Sequence, residues 1–173
     1  PQFTSLQRYL DENGGNNNQL QYLFYLHHKS KNQWWVNGTL VKEIVQKNSS
    51  SLYANVLGAS ILSSIWDQQW SDKLISKIAV NDFLQTNDNR ELYPLLTPKS
   101  ASLIYYNLLK ADKKYAKQAD QVVARLMSIR DDQWIWGRST ADNLAISKIL
   151  YGYFKDAINQ KDVTCTIKIG TFN

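Results

Sequence analysis

The sequence has a single cysteine, Cys165, and only three prolines among its 173 residues. One cysteine excludes an intrachain disulfide and a zinc site built on several thiolates. No apolar run approaches the roughly 20 residues that a membrane-spanning helix needs. The chain begins with Pro1 and shows no signal peptide, so we expect it to be a piece of a longer protein.

The residue patterns that mark common enzyme sites are also missing. There is no P-loop, no GxSxG or HExxH motif and no Rossmann glycine pattern. His27 and His28 are adjacent, and adjacent residues on a helix do not face one site. Asp131-Asp132 is interpreted as a polar loop, and Cys165 has no histidine near it in sequence that could lower its pKa. We therefore predict no catalytic residues, no metal ligands and no cofactor, and the chain is not expected to be an enzyme.

The charge and the aromatic content are more informative. A formal net charge of +5 favours acidic partners, but only weakly. The basic residues are scattered rather than concentrated in the single stripe of a nucleic-acid binder, so no nucleic acid is expected as a partner. The nearest thing to a run is Lys110, Lys113, Lys114 and Lys117. Six Trp and ten Tyr must be buried in a core or stack on a ligand.

A helical repeat organises the chain. Three apolar helical patterns begin at the capping residues Ser51, Thr97 and Ser139, at spacings of 46 and 42 residues. More amphipathic helices are predicted between them, over residues 71–80 and 115–130. The repeating unit is an outer amphipathic helix, a loop and an inner apolar helix. This order predicts an all-α fold of repeated helical hairpins, either an α/α-toroid or an α-solenoid.

Two further features complete the organisation. Trp-rich turns at residues 33–39 and 133–139 both run from Gln-Trp through a glycine to a Ser or Thr cap, at Thr39 and Ser139. Residues 162–169 alternate and are rich in β-branched side chains, which predicts a strand. We therefore expect a partial α/α-toroid domain over residues 1–160, and over residues 161–173 a strand that leads into a following β-domain.

The stretch from residue 93 to residue 154 resembles the last part of the thioester-containing α/α-toroid domain of the alpha-2-macroglobulin family, closest to its bacterial branch. The family pattern is a helix of leucines and alanines, a second helix, Trp-Gly, Ser-Thr-Gln-Asp/Glu and a last apolar helix. Those places are filled here by residues 102–109, residues 122–127, Trp136-Gly137, Ser139-Thr140-Ala141-Asp142 and residues 144–154.

The chain departs from the family pattern at two places. The family's Gln is Ala141 here, and the thioester motif Cys-x-Glu-Gln is absent, because Cys165 is followed by Thr166-Ile167-Lys168. In the family that motif lies well upstream of the Trp-Gly segment, so either it falls before Pro1 or the parent lacks a thioester, as some bacterial members do.

The resemblance implies a function without catalysis in these residues. The parent would be an endopeptidase inhibitor that traps proteases, periplasmic or extracellular, with this chain as a helical body docked on adjacent β-domains. Proteases would be partners of the full-length parent, and a membrane would be reached only through an anchor outside these residues. Two alternatives stay open. One is a toroid enzyme acting on a glycan or lipid, with two carboxylates and a cleft lined by Trp34, Trp35, Trp134 and Trp136. The other is a helical-repeat scaffold that binds a peptide.

Overall fold

A computed structural model of the chain describes residues 19–32, 35–84, 96–130, 136 and 139–158. These residues form seven α-helices and two short 3₁₀ helices and contain no strand, which confirms the predicted all-α class for this part of the chain. The predicted strand at 162–169 and the domain boundary at residue 160 lie outside the described residues. The α-helices are α1 (Gln19–Lys31), α2 (Gly38–Lys47), α3 (Leu52–Ser64), α4 (Gln68–Ile75), α5 (Pro98–Lys110), α6 (Ala116–Ser128) and α7 (Thr140–Ile158), and the 3₁₀ helices span Val80–Leu84 and Lys113–Tyr115.

The three predicted apolar helices begin where their caps were expected. The side-chain oxygens of Ser51, Thr97 and Ser139 each accept a hydrogen bond from the backbone N–H three residues further on. These bonds satisfy donors that the first helical turn leaves without an intrahelical acceptor. Pro98 occupies the first position of α5, where its missing N–H costs nothing.

Helix α6 (Ala116–Ser128) agrees with the helix predicted over 115–130, but the other two outer helices differ from their predictions. The helix expected over 71–80 runs from Gln68 to Ile75, because the side chain of Asp67 caps it three residues earlier. Helix α2 was not predicted, and its cap is not Thr39. Instead the side-chain oxygen of Asn37 accepts hydrogen bonds from the N–H groups of Thr39 and Leu40, and Asn is the stronger capping residue. The first Trp-rich turn therefore leads into an amphipathic helix, not into an apolar inner one.

Helix α3 is the centre of the hydrophobic core. Its residues from Tyr53 to Ala59, together with Ile61 and Leu62, are all buried, so the helix is covered on every side. It packs on α1, α2, α4 and α5. Removing a side chain such as Leu57 or Ile61 from water contributes roughly 1.5–3 kcal/mol to the free energy of folding. A helix that is apolar all round is expected to be enclosed in this way.

The order of packing gives the molecule two distinct ends. Helices α1, α3, α5 and α7 pack on each other in chain order, and we call them the inner helices. The start of α2 lies against the end of α3, since a Cβ on Gly38 would sit 2.9 Å from Ile65 Cδ1. Helix α4 follows α3 after a three-residue turn and returns along it, since the Ser71 hydroxyl donates to the Ala59 carbonyl. The intervening helices therefore run antiparallel to the inner ones, so the inner helices share an N-terminal end and a C-terminal end.

A matched pair of glycines tests the close packing around α3. A Cβ on Gly58 would lie 2.4 Å from Val45 Cγ2, so we expect Gly58→Ala to destabilise the fold by about 1–3 kcal/mol through overpacking. Gly152 in α7 has nothing within 4 Å of a Cβ. Gly152→Ala should stabilise it by about 0.5–1 kcal/mol through helix propensity. Urea unfolding gives both values, and midpoints that shift in the same direction would contradict the assigned packing.

Candidate functional site

The two histidines of α1 lie in different environments. His27 is 2% exposed, and its Nδ1 has no hydrogen-bond partner in the described part of the chain. Burial, followed by the nearby charges of Lys31 and His28, lowers the pKa of His27 to about 3, so the ring is neutral near pH 7. His28 is exposed and packs edge-on against Phe24, with ring centroids 4.6 Å apart. Within the described ranges, no three His, Cys, Asp or Glu side chains come together as they would to hold a metal ion.

Trp136, between α6 and α7 in the chain, forms hydrogen bonds with α5, α6 and α7. Its indole Nε1–H donates to the carbonyl oxygen of Leu126 on α6 at 2.6 Å. Its backbone N–H donates to Asn143 Oδ1 on α7 at 2.9 Å, and its carbonyl oxygen accepts from Lys99 Nζ on α5. The ring is only 7% exposed. A buried indole whose donor is satisfied is typical of a packing residue.

A buried carboxylate joins the starts of α5 and α7. Asp142 Oδ1 accepts a hydrogen bond from the Thr97 hydroxyl, and both residues are buried. The same hydroxyl oxygen accepts from the N–H of Ser100, so Thr97 caps its own helix and also bonds the next inner helix. Asp142 stands three residues after the cap Ser139, where an acid often bonds back to the cap's own N–H. Here its side chain bonds the preceding inner helix instead.

These residues form one connected structure, which we call the α5–α7 joint: Thr97, Lys99, Trp136, Asp142 and Asn143. It lies at the N-terminal end of the inner helices and was not predicted from the sequence. Thr97 and Asp142 are 45 residues apart, and no local pattern links them. One signal was available, because the repeat places the caps Thr97 and Ser139 at equivalent positions of neighbouring units.

A second polar cluster, also missed from the sequence, connects α4 to the turn after α5. Asp72 accepts hydrogen bonds from Gln68, Lys114 and Tyr115. Burial is the largest single influence and raises the pKa of Asp72, but the three hydrogen bonds together outweigh it and hold that pKa below its usual value. Burial and the bond to Asp72 raise the pKa of Tyr115 to about 12. Because Asp72 and Lys114 are about a third or more exposed, we interpret the cluster as a solvated link between neighbouring hairpins.

The glycan alternative predicts a cleft lined by four tryptophans, and one of the four is not available to line it. Trp136 is buried in the α5–α7 joint, so its ring has no free face on which a sugar could stack. Trp35 is 79% exposed and precedes α2. Trp34, Trp134, Asp131, Asp132 and Cys165 lie outside the described residues.

The α5–α7 joint can be tested by removing its buried acceptor. We expect Asp142→Ala to lower the free energy of unfolding by about 1–3 kcal/mol, because the buried Thr97 hydroxyl loses its acceptor. Asp142→Asn should cost less, since an acceptor remains. Urea unfolding measures both changes, with the exposed Glu43→Ala as a control within about 0.5 kcal/mol of wild type. If Asp142→Ala resembled Glu43→Ala, the joint would contribute nothing.

The buried His27 predicts a dependence of stability on pH. The fold lowers its pKa from 6.5 to about 3, so the unfolded chain takes up the proton more readily. The stability that the neutral ring provides is complete above pH 6.5 and is lost progressively as the pH falls towards 3. Between pH 7 and pH 5 we expect a loss of about 2 kcal/mol. His27→Leu should remove most of this slope in urea unfolding, and an unchanged slope would rule His27 out as its source.

Among the described residues, no helix combines the length and the hydropathy that crossing a membrane requires. Comparison with known proteins gives no match for this chain among protein-family models, curated proteins or solved structures.

Proposed function

We propose that this chain is part of the helical body of a protease trap of the alpha-2-macroglobulin type, and that it acts by docking and by moving as one unit. The observation that carries the proposal is the α5–α7 joint. Trp136 and Asp142, two residues of the family-like Trp-Gly and Ser-Thr-x-Asp segments, are both part of it. The resemblance to the family therefore includes two residues that help to hold α5, α6 and α7 together.

The arrangement of the helices supports the proposed partial toroid. In an α/α-toroid the inner helices follow one another and the outer helices return on their outside. Here α1, α3, α5 and α7 are neighbours in that order, and α2, α4 and α6 each pack on the inner helix that follows or precedes them. One buried core joins residues from α1 to α7. Closely packed elements of this kind move together rather than deform.

One face of α7 supports the docking role. Leu144, Tyr151 and Phe154 are 55%, 70% and 47% exposed. Their spacing of seven and three residues places them on one side of the helix, opposite the buried Ile146 and Ile149. Large exposed apolar side chains in a row are typical of surfaces that contact another protein or domain. We infer that an adjacent domain of the parent covers this face.

The proposal is tested on the full-length protein that contains this chain. After incubation with an endopeptidase, we expect the enzyme to lose activity on a large protein substrate while it still cleaves a small peptide. The trap should also migrate differently on a native gel, because cleavage changes its conformation. Cleavage without protection of the large substrate and without a mobility change would contradict the proposal. Turnover of a glycan by the chain alone would favour the toroid enzyme instead.

The contribution of the α7 face is tested within the same protein. Leu144→Ser combined with Tyr151→Ser should weaken trapping, because the docking face loses most of its apolar area, while the thermal unfolding midpoint stays within a few degrees. Lys117→Ser on the exposed side of α6 is the control and should leave trapping unchanged. Equal trapping by the two variants would show that the α7 face has no docking role.

A further inference from the structure

Two tryptophans are exposed at the C-terminal end of the inner helices. Trp66 is 93% exposed and Trp35 is 79% exposed. Trp66 follows the end of α3. Trp35 stands three positions before Gly38, whose backbone packs against Ile65 next to Trp66. The two indoles therefore belong to neighbouring turns at the same end of the molecule.

Trp66 has a left-handed backbone conformation that is energetically unfavourable for a residue with a side chain. Asp67 N–H donates to the Leu62 carbonyl at 2.8 Å and Trp66 N–H donates to the Ser63 carbonyl at 3.2 Å, which is the Schellman pattern of hydrogen bonds at a helix end. The pattern needs a left-handed residue, and Trp66 supplies it with φ of 67°. Glycine is the usual residue there, and any other costs about 1–2 kcal/mol. Because the indole is almost wholly in solvent, the packing of the chain offers no compensation.

The same end is rich in positive charge. Residues 28–32, 35–43, 65–73, 110–117 and 151–158, which lie at or beside the ends of α1, α3, α5 and α7, contain nine lysines against four aspartates and one glutamate. Two of the aspartates, Asp67 and Asp72, already bind Lys42 and Lys114. Lysines near helix C-termini are favoured by the helix dipole alone. That reason does not extend to exposed tryptophans.

Cations and aromatic rings are in direct contact at this end. Lys73 Nζ lies 4.6 Å and Lys42 Nζ 5.4 Å from the ring centroid of Trp70 in α4. Trp70 is half-buried beside the exposed Trp66 turn. The surface thus combines an apolar, aromatic element with ammonium groups a few ångströms away. We call Trp35, Trp66, Trp70, Lys42 and Lys73 the Trp–Lys end.

We propose that the Trp–Lys end binds the surface of an anionic lipid bilayer. Indole rings partition into the interface between headgroups and acyl chains, and each lysine near an anionic leaflet adds electrostatic attraction. A side chain that is 93% exposed is not enclosed by walls that could recognise a peptide, and a deformable lipid surface needs no such walls. This contact does not rest on the proposed protease trap, and it adds to any anchor elsewhere in the parent.

The test uses the 173-residue chain and vesicles sedimented by centrifugation. We expect binding to vesicles that mix phosphatidylcholine with phosphatidylglycerol, weak binding to phosphatidylcholine alone, and release as the salt concentration rises. Trp66→Gly separates folding from binding. Glycine relieves the left-handed strain, so this variant should unfold at a temperature no lower than wild type, yet its affinity for the mixed vesicles should fall about tenfold.

Charge and position provide the controls. Lys73→Glu should lower the affinity at least about fivefold, whereas Lys47→Glu, the same charge change on the exposed last residue of α2 at the N-terminal end of the inner helices, should have a smaller effect. Leu144→Ala near the start of α7, at the N-terminal end of the inner helices, controls for the loss of an exposed apolar side chain and should bind like wild type. The proposal is overturned if the chain does not bind the mixed vesicles, if Trp66→Gly binds them as tightly as wild type, or if the two lysine variants are equally impaired.

Discussion

The enclosure of α3 is the constraint on which the rest of the fold depends. A helix with buried residues on all its faces must be surrounded, and α1, α2, α4 and α5 supply that surround. Four neighbours can approach one helix only if some contacts are very close, and Gly58 provides one of them, against Val45 and Leu74. Ser71 shows the same closeness, since its buried hydroxyl donates to the Ala59 carbonyl on α3. The directions of α2 and α4, the two outer helices that contact α3, follow from covering it.

Local signals in the sequence were sufficient for three of the four inner helices, α3, α5 and α7, and insufficient for much else. Ser51, Thr97 and Ser139 could be recognised as caps because a cap and the apolar run after it are adjacent in the chain. The capping residues of α2 and α4 were not predicted correctly from such local signals. Several polar residues stood near each start, and the choice of Asn37 and Asp67 depends on which side chain reaches the first turn.

Whether each aromatic side chain is buried or exposed could not be predicted from composition. Trp136 is buried with its donor satisfied, and Trp66 is almost fully exposed. Both are tryptophans, so composition does not distinguish them, and the helices that face each ring decide its burial. The α5–α7 joint was beyond prediction for a related reason, because its central bond joins residues far apart in sequence. The two ends of the inner helices therefore contrast: polar side chains satisfied in the interior at one, and aromatic and cationic groups presented to solvent at the other.

The Thr97 hydroxyl has a consequence for how the chain holds together. In linear arrays of helical repeats, stability divides into a term intrinsic to each unit and a coupling term between neighbours. Thr97 contributes to both with a single oxygen, since it accepts from its own first turn and donates to Asp142 of the next unit. The hydroxyl that caps α5 thus has Asp142 as its acceptor only when α7 has formed. Because one side chain both caps α5 and bonds α7, part of the stability depends on both units being folded. The last two hairpins are therefore expected to unfold together, rather than the terminal one fraying first.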